Sequence, residues 1–467
     1  MATHFGCRLA LFANAMVCVP AALANASIDQ LQGVWRAPGY GFVLEVAGDR
    51  ARVYGESSSG CFLDKAVTEE LEGDLAHPFA YVETVSQNRI RTGSTPTTSL
   101  YTLDRLSELP APCELGLKKT PTQTLAYLAA VMSSHYAFFK ERNIDWPARV
   151  ARARAQVTDR TSSKALRKVF ADLLEGFNDS HLSLIGRKGW FGSFQLPAPS
   201  SRELVPLLRR GLPQDADDDD LRKARRSWYG GQITNTNKAL FDGKGVRRSG
   251  LPLMWGKRGN IGVVVQIGMQ GFSKSALESE DVASADAIFD EILAYFGDVD
   301  AVVFDVSLNF GGYGEVARAV ASRFAAQKRF AYSRHVPAEG PDSLQRVYVE
   351  PSPRTRFTGP VYLLTSDMTV SAGEEFTMLM RVLDNVHHYG TPTNGSLSDV
   401  LPKGLPNGWV LTLSNQIYTM PDGVCYEGQG VPPEHPLPIY RSDNLETARF
   451  EAVEKLILIA AGEHSNQ

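Results

Sequence analysis

Cysteine is scarce in this chain: there are five among 467 residues, and none stands in a C-x-x-C pair. That spacing argues against a structural zinc site. An excess of charge of either sign is also lacking, with 48 Lys and Arg against 52 Asp and Glu and a net charge of -4. Such a balance gives no basic face for nucleic acid and no strong field for anionic partners. After the first residues no apolar run approaches the roughly 20 residues that span a bilayer. Internal repeats and low-complexity tracts are missing too. What remains is an ordinary globular composition, 43% hydrophobic and 21% charged, in a chain long enough for roughly two to four domains.

The N-terminus has the layout of a targeting segment. Arg8 precedes a short apolar stretch from Leu9 to Val19, and Ala22-Leu23-Ala24 and Ala24-Asn25-Ala26 both suit a small-residue cleavage site. Asn14 and Pro20 interrupt the apolar stretch, which disfavours a permanent anchor. Residues 1–26 therefore read as a cleaved signal peptide, and the mature chain is expected to be periplasmic or secreted, with no membrane span. Cys7 and Cys18 leave with the signal. Of Cys61, Cys113 and Cys425, the first two share one module and are the expected disulfide, although nothing in their spacing fixes the pairing. Cys425 is then expected to be a buried thiol.

Along the mature chain the texture changes several times. Residues 27–116 alternate apolar and polar between glycine turns, as in Gly41-Phe42-Val43-Leu44-Glu45-Val46, and read as a small β-module. Residues 120–186 carry helical spacing, with Leu166, Val169, Phe170, Leu173 and Leu174 on one face, and end in Asp179-Ser180-His181. Residues 187–258 look irregular, and the acidic run at 215–220 reads as a solvated loop without the glycine and ligand alternation of a calcium site. Residues 259–440 alternate strand and helix: Ile261 to Ile267, Ala285 to Phe296, Ala301 to Val306, Gly314 to Ala326, Val361 to Thr365, Ser371 to Leu383 and Val386 to Tyr389. That order predicts an α/β sheet covered by helices. Residues 441–467 form a C-terminal helix and tail.

Four short stretches could carry chemistry, and each has a plain structural explanation as well. Ser371 lies between an apolar strand and an amphipathic helix, where a hydroxyl is exposed beside helix N-terminal N–H groups. A serine followed by Glu374 and Glu375 is also what ordinary capping produces. Gly311-Gly312 follows the strand ending near Asp305 and could present N–H groups to an oxyanion, or simply make a turn. His181, among leucines, would more often be a core residue than a base. Glu427, in a glycine-rich turn, would more often be solvated than orient a histidine. His387 and His388 are adjacent on a strand, so they point to opposite faces and do not share a metal.

In combination and in this order, these stretches resemble the C-terminal processing (tail-specific) serine peptidases, a family that includes the tricorn core protease. The matching segments are Asp179-Ser180-His181, Asp305 to Gly312, Thr369-Val370-Ser371-Ala372-Gly373-Glu374, Gly390-Thr391-Pro392-Thr393-Asn394-Gly395 and Glu427 to Pro433. The resemblance implies a ClpP/crotonase-like catalytic fold, a protein or peptide substrate and no cofactor. One branch of the family uses a lysine directly after the Gly-x-x-Thr-x-Gly stretch, where this chain has Ser396. Lys403 lies further on, in a proline- and glycine-rich turn, and is not assigned that role. The tricorn-like branch uses histidine. Carried over residue by residue, it implies Ser371 as nucleophile, His181 as general base, Glu427 and Ser180 as orienting groups, and the N–H groups of Gly311, Gly312 and Ala372 as oxyanion hole. The family pattern places an arginine where Ser307 stands. No PDZ-type strand–helix pattern is evident.

A serine hydroxyl needs a base within hydrogen-bond reach, and a neutral imidazole suits proton transfer in both directions. Two other readings stay open: a catalytically inactive peptide- or ligand-binding protein on the same scaffold, and an acyl-CoA enzyme of the crotonase type. Export and the ordered serine, histidine and glutamate weigh against the latter. An α/β-hydrolase is disfavoured because residue 369 is threonine rather than the first glycine of G-x-S-x-G.

Overall fold

The computed structural model describes residues 29–464 except 73–77, 187–194, 197–200 and 276. Residues 1–26, where a signal peptide is expected, lie outside the described residues. The chain divides into two compact units: Met1–Pro199 with Arg334–Gln345 and Ser398–Tyr418, and Ser200–Ser333 with Arg346–Leu397 and Thr419–Gln467.

The first unit begins with an antiparallel sheet of seven strands, in the order Gly60–Leu63, Arg50–Ser57, Phe42–Ala47, Gly33–Ala37, Tyr101–Leu106, Arg89–Gly93, Tyr81–Ser86. Its alternating sequence buries Val43 and Tyr54 in one small core with Cys61 and Cys113, and those two cysteines form a disulfide. Three capped helices follow. Thr120, Asp145 and Ser162 each accept a backbone N–H of the first turn of Pro121–His135, Trp146–Arg154 and Ser163–Leu174 respectively. The last helix buries the expected face, Leu166, Val169, Phe170, Leu173 and Leu174. The chain then enters the short strand Ser183–Ile185. This strand pairs with Val410–Ser414, part of a hairpin with Val400–Gly404 contributed from far along the sequence.

The second unit is built on another seven-stranded sheet. Ile261–Gln266, Ala301–Asp305, Val361–Thr365, Val386–Gly390 and His435–Pro436 are parallel neighbours, with Leu253–Arg258 and Val246–Arg247 antiparallel at one edge. Its central strands are apolar on both faces, as parallel strands covered by helices are. Val263, Val303 and Tyr362 pack into a core with Trp228, Leu240, Val453 and Leu456. On alternate positions Phe304 meets Phe289, Phe324 and Phe376. The helices Glu278–Phe296, Gly314–Ser322 and Ala372–Arg381 follow their strands as the alternation predicts.

The structure departs from the sequence reading between residues 187 and 258. Leu204–Arg210 and the 24-residue Asp218–Phe241 are helices. The acidic run is the first turn of the longer one: Asp217 accepts the N–H groups of Asp219 and Asp220 at 2.8 and 3.0 Å. Asp218, Asp219 and Asp220 then suit the positive end of the helix dipole. Its buried face includes Gln232 and Thr236, which breaks the apolar period that would have announced it. Cys425 also differs from expectation, being half-buried rather than buried.

Candidate active site

Two parallel strands of the second unit, Ala301–Asp305 and Val361–Thr365, release their chains into loops at the C-terminal edge of the sheet, where open α/β sheets bind ligands. The second loop ends at Ser371, the residue before helix Ala372–Arg381, with φ 57° and ψ -124°. This lies outside the regions open to ordinary side chains and costs about 1–3 kcal/mol. Neighbouring bonds hold the turn in place. The Thr369 hydroxyl donates to the Val306 carbonyl at 2.8 Å, and the Val370 N–H donates to the Asn309 carbonyl at 2.8 Å. Ser371 itself is partly exposed.

The first loop brings Gly311 against this turn. A Cβ at 311 would fall 2.8 Å from Ser371 Cβ and 3.2 Å from the Ala372 nitrogen, so only glycine allows the approach. The Gly311 N–H donates to Asn309 Oδ1 at 2.9 Å, while Asn309 Nδ2 donates to the Gln266 carbonyl at 3.1 Å. Gly311 therefore contributes close packing, and its N–H is already engaged. Gly312 is exposed at φ 141°. Among the described hydrogen bonds, neither the Gly312 nor the Ala372 N–H has a protein acceptor.

Beneath the turn, Glu374 is wholly buried and collects donors. Its Oε1 accepts the Thr393 hydroxyl at 2.6 Å and the Gly395 N–H at 2.7 Å; Oε2 accepts the Ser396 N–H at 2.8 Å and the Ser371 N–H at 3.3 Å. Burial raises its pKa, against the lowering effect of these four donors. The next peptide N–H, of Leu397, donates to Glu427 Oε2 at 2.8 Å, and Glu427 is 3% exposed. Two loops are thereby joined, since the Gly428 N–H also donates to the Gly395 carbonyl at 2.7 Å. Arg202 clasps both from a segment that read as irregular, donating to the carbonyls of Thr393 at 2.6 Å and Gly428 at 2.9 Å.

Ser180 and His181 belong to the first unit. The His181 N–H donates to Asp179 Oδ1 at 2.9 Å and its carbonyl accepts the Thr412 hydroxyl at 2.7 Å, so the backbone is held on both sides. Asp179 is kept in place by the Tyr136 hydroxyl at 2.9 Å and by Ser414 at 3.2 Å. Burial pushes the imidazole below its ordinary pKa, against the Asp179 and Asp399 carboxylates, which pull it up. Nδ1 of His181 is buried with no hydrogen-bond partner among the described residues.

Residues 263–437 match the model of Peptidase family S41. They form an S41 peptidase domain. A putative peptidase from Parabacteroides merdae ATCC 43184 is similar over 73% of this chain and 96% of its own, at TM-score 0.56 and 21% identity, which shows a shared fold. Mature CPAF is 13% identical over 73% of this chain and 96% of its own, at TM-score 0.49. The photosystem II D1 C-terminal processing protease is 14% identical over 70% and 96%, at TM-score 0.43. Among curated protein sequences none matches. The family match supports a serine-peptidase domain within this chain, and the expected α/β catalytic fold with its helical and β-rich preceding modules is the fold observed.

In this S41 domain Ser371, Ala372, Gly311, Gly312 and Glu427 share one unit. Lys403 lies in the other, buried, with its ammonium donating to the carbonyls of Tyr40 at 2.9 Å and Gly41 at 2.6 Å. Burial lowers its pKa to about 8. Where the family pattern carries arginine, Ser307 instead accepts the guanidinium of Arg449 at 3.0 Å, and Arg449 also binds Asp305. The C-terminal helix thus supplies the cation that the loop lacks. Among the described residues, no group of three or more His, Cys, Asp or Glu could hold a metal ion, and no helix is long and apolar enough to cross a membrane. Sequence reasoning missed Arg202, which has no motif around it, and the role of Glu374, which looked like an ordinary cap.

Proposed function

We propose that this S41 chain is an exported endopeptidase that hydrolyses peptide bonds through an acyl-enzyme on Ser371. His181 takes the hydroxyl proton as Ser371 attacks and returns it to the leaving amine. Glu427 and Ser180 orient the imidazole. The N–H groups of Gly312 and Ala372 receive the oxyanion, and Gly311, whose own N–H is engaged, lets that loop approach. Losing one such donor costs about 3 kcal/mol of transition-state stabilisation in comparable sites. The observation that carries the reading is the Ser371 backbone, a strained serine at the head of a helix with a glycine packed on its Cβ. The Cys61–Cys113 disulfide supports export to an oxidising compartment. Processing of protein C-termini in particular draws no support from the Leu204–Phe241 region, whose described elements are helices rather than a PDZ-like module.

The test is labelling of the mature protein by a fluorophosphonate probe, with digestion of denatured casein measured alongside. Wild type should label and digest; Ser371→Ala and His181→Ala should do neither. Labelling that survives Ser371→Ala overturns the nucleophile. A second reading, a catalytically silent peptide-binding chain, draws on Ser396 standing in the lysine position and on Lys403 being tied to two carbonyls. It predicts saturable peptide binding with no labelling.

A further inference from the structure

The Ser396–Leu397 peptide segment joins two buried carboxylates. Its first N–H goes to Glu374 Oε2 at 2.8 Å and its second to Glu427 Oε2 at 2.8 Å. Glu374 in turn is bonded to the Ser371 N–H at 3.3 Å. A continuous path therefore runs from the nucleophile turn, through one carboxylate and two successive peptide groups, to the other carboxylate. The remaining bonds tighten the same loops. The Thr393 hydroxyl gives its proton to Glu374 at 2.6 Å and accepts the Val431 N–H at 2.7 Å, four residues beyond Glu427. Gly395 lies so close to the Glu427 turn that a Cβ there would fall 2.8 Å from the nitrogens of Gln429 and Gly430.

A capping glutamate needs only one bond, back to the residue that opens the helix. Glu374 makes that bond, its longest, and spends three shorter ones on a loop some twenty residues away. We infer that Glu374 is a positioning residue that fixes where Glu427 stands relative to Ser371. This inference rests on the serine-peptidase reading above. The side chain does not touch the reacting atoms; it acts through the loop. All four of its partners are donors and it is 0% exposed. A glutamine side chain in its place has one oxygen, so whichever way the amide turned, its NH2 would face two N–H or O–H donors. The loop then has to move, and a shift of about 1 Å in an orienting group lowers turnover about 100-fold.

The experiment uses the full mature protein and compares wild type with Glu374→Gln and Thr393→Val. The second variant removes one donor to Glu374 while keeping the side-chain shape. Readouts are the rate of fluorophosphonate labelling of Ser371, kcat per titrated active site and KM on dye-labelled denatured casein, and far-UV circular dichroism. Glu374→Gln should lower the labelling rate and kcat about 100-fold, and Thr393→Val about tenfold, with KM within threefold of wild type in both. A purely structural role would reduce the number of active molecules and leave kcat per titrated site unchanged, and that result overturns the inference. If Glu374→Gln does not fold, Thr393→Val decides by the same criterion. Wild type that neither labels nor digests overturns the peptidase reading and this inference together; active wild type with unchanged variants overturns the inference alone.

Discussion

Replacing Ser371 with glycine should make the protein more stable than replacing it with alanine, though both variants lose the hydroxyl. Four non-glycine residues have positive φ among the described residues: Asn143, Asn178, Asp242 and Ser371. The first three are the short polar types that tolerate left-handed backbone, and Asp242 sits at φ 52°, ψ 33° in the left-handed helical region. Ser371, at φ 57° and ψ -124°, is in a region where only glycine is comfortable. Alanine keeps the full strain of about 1–3 kcal/mol. Glycine removes it but loses about 0.4–1 kcal/mol to the greater freedom of the unfolded chain. The net gain of Ser371→Gly over Ser371→Ala is about 1 kcal/mol, or roughly 2–4 °C in melting temperature for a unit of this size. Thermal melts of the two variants, each checked for absent fluorophosphonate labelling, measure it. If Ser371→Gly melts no higher than Ser371→Ala, the turn is not strained, and the observation that carries the nucleophile assignment fails.

Further outcomes follow from the buried charges. Because burial holds the His181 pKa below its usual value, the acid limb of kcat/KM should lie below about pH 6.5. Lys403→Met should keep wild-type labelling per folded molecule, since Lys403 is bound to carbonyls of the β-module. His135 is pushed down to about 4 by burial and by the charge of Lys403. Between pH 6.5 and 4 the unfolded chain therefore takes up a proton that the folded chain refuses. Stability should fall with pH across that window by about 1.4 kcal/mol per unit, and urea titrations of His135→Gln should show that slope reduced. Arg449→Met leaves the Asp305 carboxylate buried without its cation and should cost about 3–5 kcal/mol in denaturant unfolding.

The catalytic domain was legible because its strands are apolar runs of strand length, separated by helices whose apolar faces keep their period. Val361–Thr365 was read to the residue, and Ala301–Asp305 differs by one position. The helix Asp218–Phe241 was not legible. Its buried face includes Gln232, which donates to the Glu446 carbonyl at 2.8 Å, a partner more than two hundred residues away. A polar side chain satisfied by a distant backbone group carries no local period. The same holds for Arg202, whose acceptors are carbonyls at 393 and 428. Motif reading placed donors on Gly311 because paired glycines suggest free N–H groups. It could not see that Asn309, two residues earlier, turns its amide back onto one of them.

The choice of His181 as base is what the resemblance to the histidine-using branch implies, and the surroundings of the other basic groups bear on it. In the lysine branch of the family the base follows the Gly390–Gly395 stretch, but here Ser396 is wholly buried and its hydroxyl donates to Asn394 Oδ1 at 2.8 Å. Lys403 has the lowered pKa a basic lysine needs, yet both described acceptors of its ammonium are main-chain carbonyls of another module. Among the histidines, burial lowers His388 to about 3, and its Nε2 is shared with the Thr365 hydroxyl. His135, at about 4, would hold too little affinity for a proton to take one from serine at neutral pH. His387 lies against Tyr362, and His435 is stacked on Tyr389 at the edge strand. At His181 two carboxylates pull the pKa back up against burial and the backbone is held on both sides, while its unpartnered Nδ1 is a feature shared with His135 and His388. A buried imidazole nitrogen left unpaired costs stability. The proposed role of His181 as the base for Ser371 therefore rests on the family resemblance and on the two carboxylates that act on its imidazole, and the His181→Ala labelling test decides it.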